Sequence, residues 1–114
     1  MAEVLEPVTF SRETEGPMSD LIVPEEFIKD FRFLSDEELI IVMRIKGPDL
    51  EKALEFFEEN IGDIFTIKTT EKNGKQISDE FKLIDMETDE GPHLGVDIDI
   101  EPPEVKIVVE FERK

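Results

Sequence analysis

Three carboxylates near residue 100 have the spacing most suggestive of chemistry in this chain. Asp97, Asp99 and Glu101 alternate with aliphatic residues, so a β-strand would present all three side chains on one face. Carboxylate oxygens are the ligands that Ca²⁺ and Mg²⁺ prefer in proteins. Together with Asp89 from the preceding acidic stretch, these residues form a candidate divalent-cation site, and Ca²⁺ or Mg²⁺ is the alternative cofactor hypothesis.

The same spacing is typical of the solvent-exposed face of an ordinary strand, and we favour that interpretation. A calcium site needs about six to eight converging oxygens, whereas alternate carboxylates on one strand point in parallel. The EF-hand spacing, with its central Gly and distal Glu, is missing. A hairpin of Val96–Glu101 with Val105–Phe111 would also set Asp99 opposite Lys106. No cofactor is therefore expected, and we expect the acidic side of this hairpin to face solvent.

The only histidine, His93, is the centre of a third hypothesis, a small enzyme. A single His without any Cys cannot build a two-histidine or thiolate zinc site. None of the serines lies in a nucleophile-elbow pattern, and no glycine motif that binds phosphate is present. We assign no catalytic residue, and the sequence does not favour an enzyme.

Composition limits the partners that the chain can bind. The 114 residues carry a formal net charge of −17, which disfavours nucleic acids and anionic membranes because both need positive partners. No segment approaches the ~20 apolar residues of a membrane span. Together with the absence of cysteine and of a signal-like N-terminus, this predicts a cytoplasmic protein. Its Glu-, Ile- and Lys-rich composition is thermophile-like and archaeal-like.

Hydrophobic periodicity predicts the secondary structure of the first half of the chain. Val4–Phe10 is expected to be an extended edge segment and Asp20–Val23 a short strand. Pro24 favours the start of a short helix over Pro24–Phe31. After a turn, Leu39–Lys46 is apolar on both alternating faces, which predicts a central strand that is covered on both sides.

The strongest helical pattern covers Pro48–Asn60. Its apolar residues recur at helical spacing, Pro48 suits the first helical position, and Gly62 suits a left-handed stop. The apolar residues of this stripe are Leu50, Ala53, Leu54, Phe57 and Ile61.

Three phenylalanines are candidates for contact with a protein partner. Phe56 lies off the centre of the main helical stripe, and Phe27 and Phe31 belong to a dense aromatic cluster on the predicted short helix. We expect such rings chiefly to fill the space between helix and sheet, and a partly exposed ring would be available to a partner.

A β-hairpin is predicted around Asn73–Gly74. A two-residue turn would mix the polar and apolar faces of its strands, whereas one extra loop residue with Gly74 in a left-handed bulge position aligns them. This register pairs Phe65 with Phe81 and Thr69 with Ile77.

These elements predict a single α+β domain over residues 1–114, built as a two-layer sandwich. A mostly antiparallel sheet of five or six strands carries one main and one short helix. Residues 1–19 are expected to be partly loop or edge strand, and residues 112–114 to fray. In an alternative, the strands on either side of the main helix pair in parallel through a right-handed crossover.

For function, the sequence favours a non-catalytic protein–protein interaction module. Its partner would be a second copy or a protein with a basic patch, and we expect binding to weaken as salt rises.

Overall fold

The structure is a computed structural model, and it describes residues 4–12, 20–46, 48–89 and 104–114. These residues contain seven β-strands, one α-helix and a single 3-10 turn at Glu25–Phe27. The elements are β1 (Val8–Arg12), β2 (Asp20–Val23), β3 (Ile28–Phe33), β4 (Glu38–Lys46), α1 (Pro48–Glu58), β5 (Ile64–Thr70), β6 (Gln76–Asp89) and β7 (Glu104–Arg113).

All seven strands belong to one antiparallel sheet in the order β2-β1-β5-β6-β7-β4-β3. The predicted class, a mostly antiparallel sheet with a helix packed on it, is confirmed. The sheet has seven strands where five or six were predicted. The parallel alternative is wrong, because β6 and β7 lie between β4 and β5.

The sheet is strongly curled. Its two edge strands, β2 and β3, would lie roughly 29 Å apart in a flat sheet with about 4.8 Å between strands. They are joined only by residues 24–27, and the five steps from Val23 to Ile28 span at most about 18 Å. The rings of Phe10 in β1 and Phe111 in β7 are 6.0 Å apart between centroids although two strands separate β1 from β7. The concave side of this curl holds the core.

Helix α1 closes the concave side. Ala53 and Phe57 are buried, and the Phe57 ring meets Phe10 edge to face at 5.1 Å. The predicted stripe is confirmed for these two residues and is half-buried at Leu50 and Leu54. Ile61 is exposed because the helix ends at Glu58, two residues earlier than predicted.

The predicted short helix Pro24–Phe31 is wrong. The segment forms the 3-10 turn and then β3, which pairs with β4. A register shift between Ile28 and Asp30 places both Ile28 and Phe31 on the buried side. This irregularity produces a spacing of three residues, which imitates a helical stripe in the sequence.

The β5–β6 hairpin has the predicted register. Phe65 lies opposite Phe81 and Thr69 opposite Ile77. Gly74 has a φ of 93°, the left-handed conformation that the bulged turn requires.

The predicted hairpin of residues 96–101 with β7 is wrong, because both edges of β7 are already paired. β6 lies on one side and β4 on the other, so Lys106 faces Asp89 and Arg44 across the two ladders. Residues 96–101 lie outside the described residues.

The two ends of the described chain belong to the sheet. β1 is an interior strand between β2 and β5 and not an edge. β7 continues to Arg113, which pairs with Phe81. The expected fraying of residues 112–114 stays a prediction.

Candidate protein-interaction surface

The convex side of the sheet carries an apolar stripe. On β4, burial alternates strictly: Leu39, Ile41, Met43 and Ile45 are buried against the core. Between them, Ile40 and Val42 point to the convex side and are only half-buried. The prediction that β4 is covered on both faces is therefore wrong for the described residues, since α1 lies on the concave side.

The neighbouring strand extends this stripe. Val42 pairs directly with Val108 of β7, which is half-buried on the same convex side. Ile40, Val42 and Val108 are referred to below as the outer apolar patch. Nonpolar cross-strand pairs stabilise a sheet. The solvent-exposed face of an antiparallel sheet is usually polar, however, and here it carries three adjacent aliphatic residues.

Charged residues surround the outer apolar patch in a definite order. At one end of the two strands lie Arg44 and its cross-strand neighbour Lys106. At the other end lie three glutamates, Glu38, Glu110 and Glu112. The two ends of the patch therefore carry opposite charge.

The flanking strands complete this rim. On β3, the Arg32 Nε lies 3.2 Å from Asp30 Oδ2, and these two residues face Ile40 and Val42. On β6, Asp85 and Glu87 occupy the opposite flank. An apolar centre inside a polar rim is the usual anatomy of a protein–protein interface.

The other half of the convex side is polar. Thr9, Thr66, Lys68 and Ser78 occupy β1, β5 and β6, and the exposed Ile22 lies on the edge strand. An open groove of about 530 Å³ runs over this half. Two hydroxyls that line it bind Glu6: Thr70 Oγ1 donates to Glu6 Oε2 at 2.7 Å, and Thr69 Oγ1 donates to the Glu6 carbonyl oxygen at 3.0 Å. These hydrogen bonds tie the segment before β1 to β5.

Arg113 forms a structural clamp at the end of β7. Its guanidinium carbon lies 5.6 Å from the ring centroid of Phe33 and 5.1 Å from that of Phe81. Nη1 donates to Asp79 Oδ2 at 2.7 Å, and Nε donates to the carbonyl oxygen of Asp36 at 2.9 Å. These contacts tie β7 to the turn before β4, so the side chain serves the fold.

A second arginine lies at the mouth of the curl. Arg12 Nε is buried and has no hydrogen-bond partner, and Asp63 Oδ2 is 4.0 Å away. The adjoining cavity of about 360 Å³ is lined by Lys52 and by the acids Asp20, Glu55 and Glu59 among others. The carboxylates outnumber the cations there, which makes the cavity a poor anion site.

The predicted cation site cannot be assembled from the described residues. Asp97, Asp99 and Glu101 lie outside them, as does His93. Asp89 is the last residue of β6, opposite Lys106. Over the described ranges, no group of three or more His, Cys, Asp or Glu residues is placed to hold a metal ion. The Ca²⁺ or Mg²⁺ hypothesis stays a prediction.

The three predicted contact phenylalanines pack in or against the core. Phe56 is buried and its ring lies 5.4 Å from that of Phe65. Phe31 is buried on β3, and Phe27 is half-buried beside the core. A role for these rings in partner contact stays a prediction. The outer apolar patch was missed as a site, although the doubly apolar pattern of β4 is the signal that points to it.

Comparison of the chain with protein-family models, with curated proteins and with solved structures finds no match. Among the described residues, no helix has the length and apolar character needed to cross a membrane.

Proposed function

We propose that this protein is a non-catalytic interaction module that binds protein through the convex side of β4 and β7. The observation that carries the proposal is the outer apolar patch, which stands on the side of the sheet opposite α1. Such a patch gains free energy when a partner removes it from water, at about 25 cal/mol per Å² of apolar area.

The position of the patch supports this function. It lies at the middle of long, continuous ladders, nine residue pairs between β4 and β7. The backbone beneath it is therefore rigid, and rigid surfaces lose little conformational entropy on binding. Charged side chains on all four sides would exclude water around a central apolar contact.

Site-specific photo-crosslinking tests the proposal. The photoreactive residue p-benzoylphenylalanine is introduced at Val42 in cells that express the chain, and covalent products are resolved by mass. We expect a protein adduct from position 42. The matched control is position 66, because Thr66 is also a half-buried β-branched residue on the convex side, opposite Glu80 as Val42 is opposite Asp30.

An adduct that forms at position 42 and not at position 66 supports the proposal. No protein adduct at position 42, or equal yields at both positions, would refute it.

A further inference from the structure

We infer that Asn73, in the turn between β5 and β6, is a site of spontaneous deamidation that the folded turn slows. The chain contains two asparagines, Asn60 and Asn73, and only Asn73 is followed by glycine. Asn73 and Gly74 are both exposed, so water reaches them. This inference is independent of the proposed function, because it concerns the β5–β6 turn and not the convex side of β4 and β7.

The reaction consumes water and releases ammonia. The main-chain nitrogen of Gly74 loses its proton and attacks Cγ of Asn73, so that a new C–N bond forms and the side-chain amide leaves as ammonia. Water then opens the resulting cyclic imide. Hydrolysis at Cγ gives aspartate in a normal chain, whereas hydrolysis at the main-chain carbonyl carbon gives isoaspartate, whose peptide bond runs through the side chain. The reaction needs no oxidant, reductant or cofactor.

Glycine is the residue that hinders this attack least. Gly74 has no Cβ beside its nitrogen, and its φ of 93° is the left-handed conformation that glycine adopts without strain. The bulged turn therefore needs, at position 74, the residue that also makes Asn73 most reactive.

Two hydrogen bonds in the folded turn oppose the reaction. Gly74 N–H donates to the carbonyl oxygen of Glu71 at 2.8 Å, which keeps the proton on the attacking nitrogen and fixes its direction. Asn73 Oδ1 accepts from Lys75 N–H at 2.9 Å, a local bond from side chain to backbone that is typical of turns. The attack requires both bonds to break. Two bonds of ordinary net strength correspond to a suppression of about tenfold to a hundredfold.

The other asparagine is an internal control. The Asn60 side chain is buried, and its Nδ2 donates to the carbonyl oxygen of Phe56. The next residue is Ile61, whose branched side chain crowds the nitrogen that would have to attack. We therefore expect Asn60 to stay intact under conditions that deamidate Asn73.

The two products should affect the fold differently. Aspartate at position 73 keeps an oxygen that accepts from Lys75 N–H, and it adds a negative charge to a chain that already carries −17. Isoaspartate adds a carbon atom to the main chain inside the turn. The register that sets Phe65 opposite Phe81 depends on the length of this turn. Isoaspartate should therefore destabilise the β5–β6 hairpin, whereas aspartate should not.

Mass spectrometry of peptides from the purified full chain tests the inference. The protein is incubated at neutral pH, either folded in buffer or unfolded in guanidinium chloride, and conversion of amide to acid is timed at each asparagine. We expect deamidation at Asn73 in both states, at least about tenfold faster in the unfolded chain. In both states, Asn60 should react far more slowly than Asn73.

Two variants separate the chemistry from its consequence. Gly74→Ala places a Cβ beside the attacking nitrogen, so the unfolded variant should deamidate more slowly than the unfolded wild type. Asn73→Asp is the matched standard for the aspartate product, and its urea midpoint should equal that of the wild type. The isoaspartate form, separated by chromatography, should have a lower midpoint than Asn73→Asp.

Equal rates at Asn73 in the folded and unfolded chains would overturn the inference, as would comparable rates at Asn73 and Asn60 in the unfolded chain. An isoaspartate form with the same midpoint as Asn73→Asp would also overturn it, since the turn would then tolerate the extra carbon atom. Crosslinking from position 42 tests the proposed function separately, because it does not involve this turn.

Discussion

Replacing Arg113 with alanine should lower the free energy of unfolding by about 2 to 3 kcal/mol. The side chain contacts two aromatic rings at 5.1 and 5.6 Å, and a cation–π contact contributes about 0.5–1 kcal/mol at sites of this kind. The hydrogen bond from Nε to Asp36 O adds about 0.5–1 kcal/mol. The ion pair with Asp79 adds only about 0.5 kcal/mol, because its side chains are 36% and 46% exposed and solvent screens them.

Urea denaturation measures this change. With a slope of about 1–3 kcal/mol/M for a small domain, the midpoint should fall on the order of 1–2 M. Lys114→Ala is the control: its ammonium lies 3.9 Å from Glu80 and is exposed, so the midpoint should hardly move. Equal, small effects of the two substitutions would contradict the reasoning and would mean that the chain frays at Arg113.

Two further predictions concern the core and the β5–β6 turn. Phe57→Ala should destabilise the protein by about 3–5 kcal/mol because the ring is fully buried against Phe10. Ile61→Ala should cost less than about 0.5 kcal/mol, since Ile61 is exposed beyond the end of α1. Thermal denaturation compares the two variants, and comparable losses of stability would place Ile61 in the core. Gly74→Ala should cost about 1 kcal/mol from backbone strain alone, because φ is 93° and an added Cβ meets nothing within 4 Å; an unchanged urea midpoint would mean that the turn adopts another conformation.

Local patterns in the sequence were sufficient for the elements whose partners are close in the chain. The β5–β6 register follows from keeping Phe65 and Phe81 on one face across a short turn. Helix α1 follows from the spacing of Ala53 and Phe57 and from Pro48 at its start.

The predictions that failed concern elements whose partners lie far away in the sequence. The spacing of apolar residues in β3 resembles that of a helix. The register shift in its pairing with β4 explains this spacing, and the sequence alone does not show that pairing. The two neighbours of β7 in the sheet are β4 and β6. Local sequence patterns do not reveal which strands become neighbours, because that depends on the arrangement of the whole sheet. Arg113 gains its contacts from Phe33, Asp36 and Asp79, which are far away in sequence.

The candidate site illustrates the same limit. The doubly apolar pattern of β4 indicates that both faces avoid water, but the sequence alone cannot distinguish a second layer of the same fold from a partner protein. The position of α1 on the concave side shows that this helix is not the second layer, and a partner protein on the convex side is our proposal.

Methyl NMR of the isotope-labelled chain in the cells that express it tests the central claim most directly. The claim is that protein binds over Ile40, Val42 and Val108. Compared with the purified chain, the methyl signals of these residues should shift or broaden in the cells, and the change should be larger than that of Ile22 on the polar half. Methyl signals in the outer apolar patch that change no more than those of Ile22 would contradict the account.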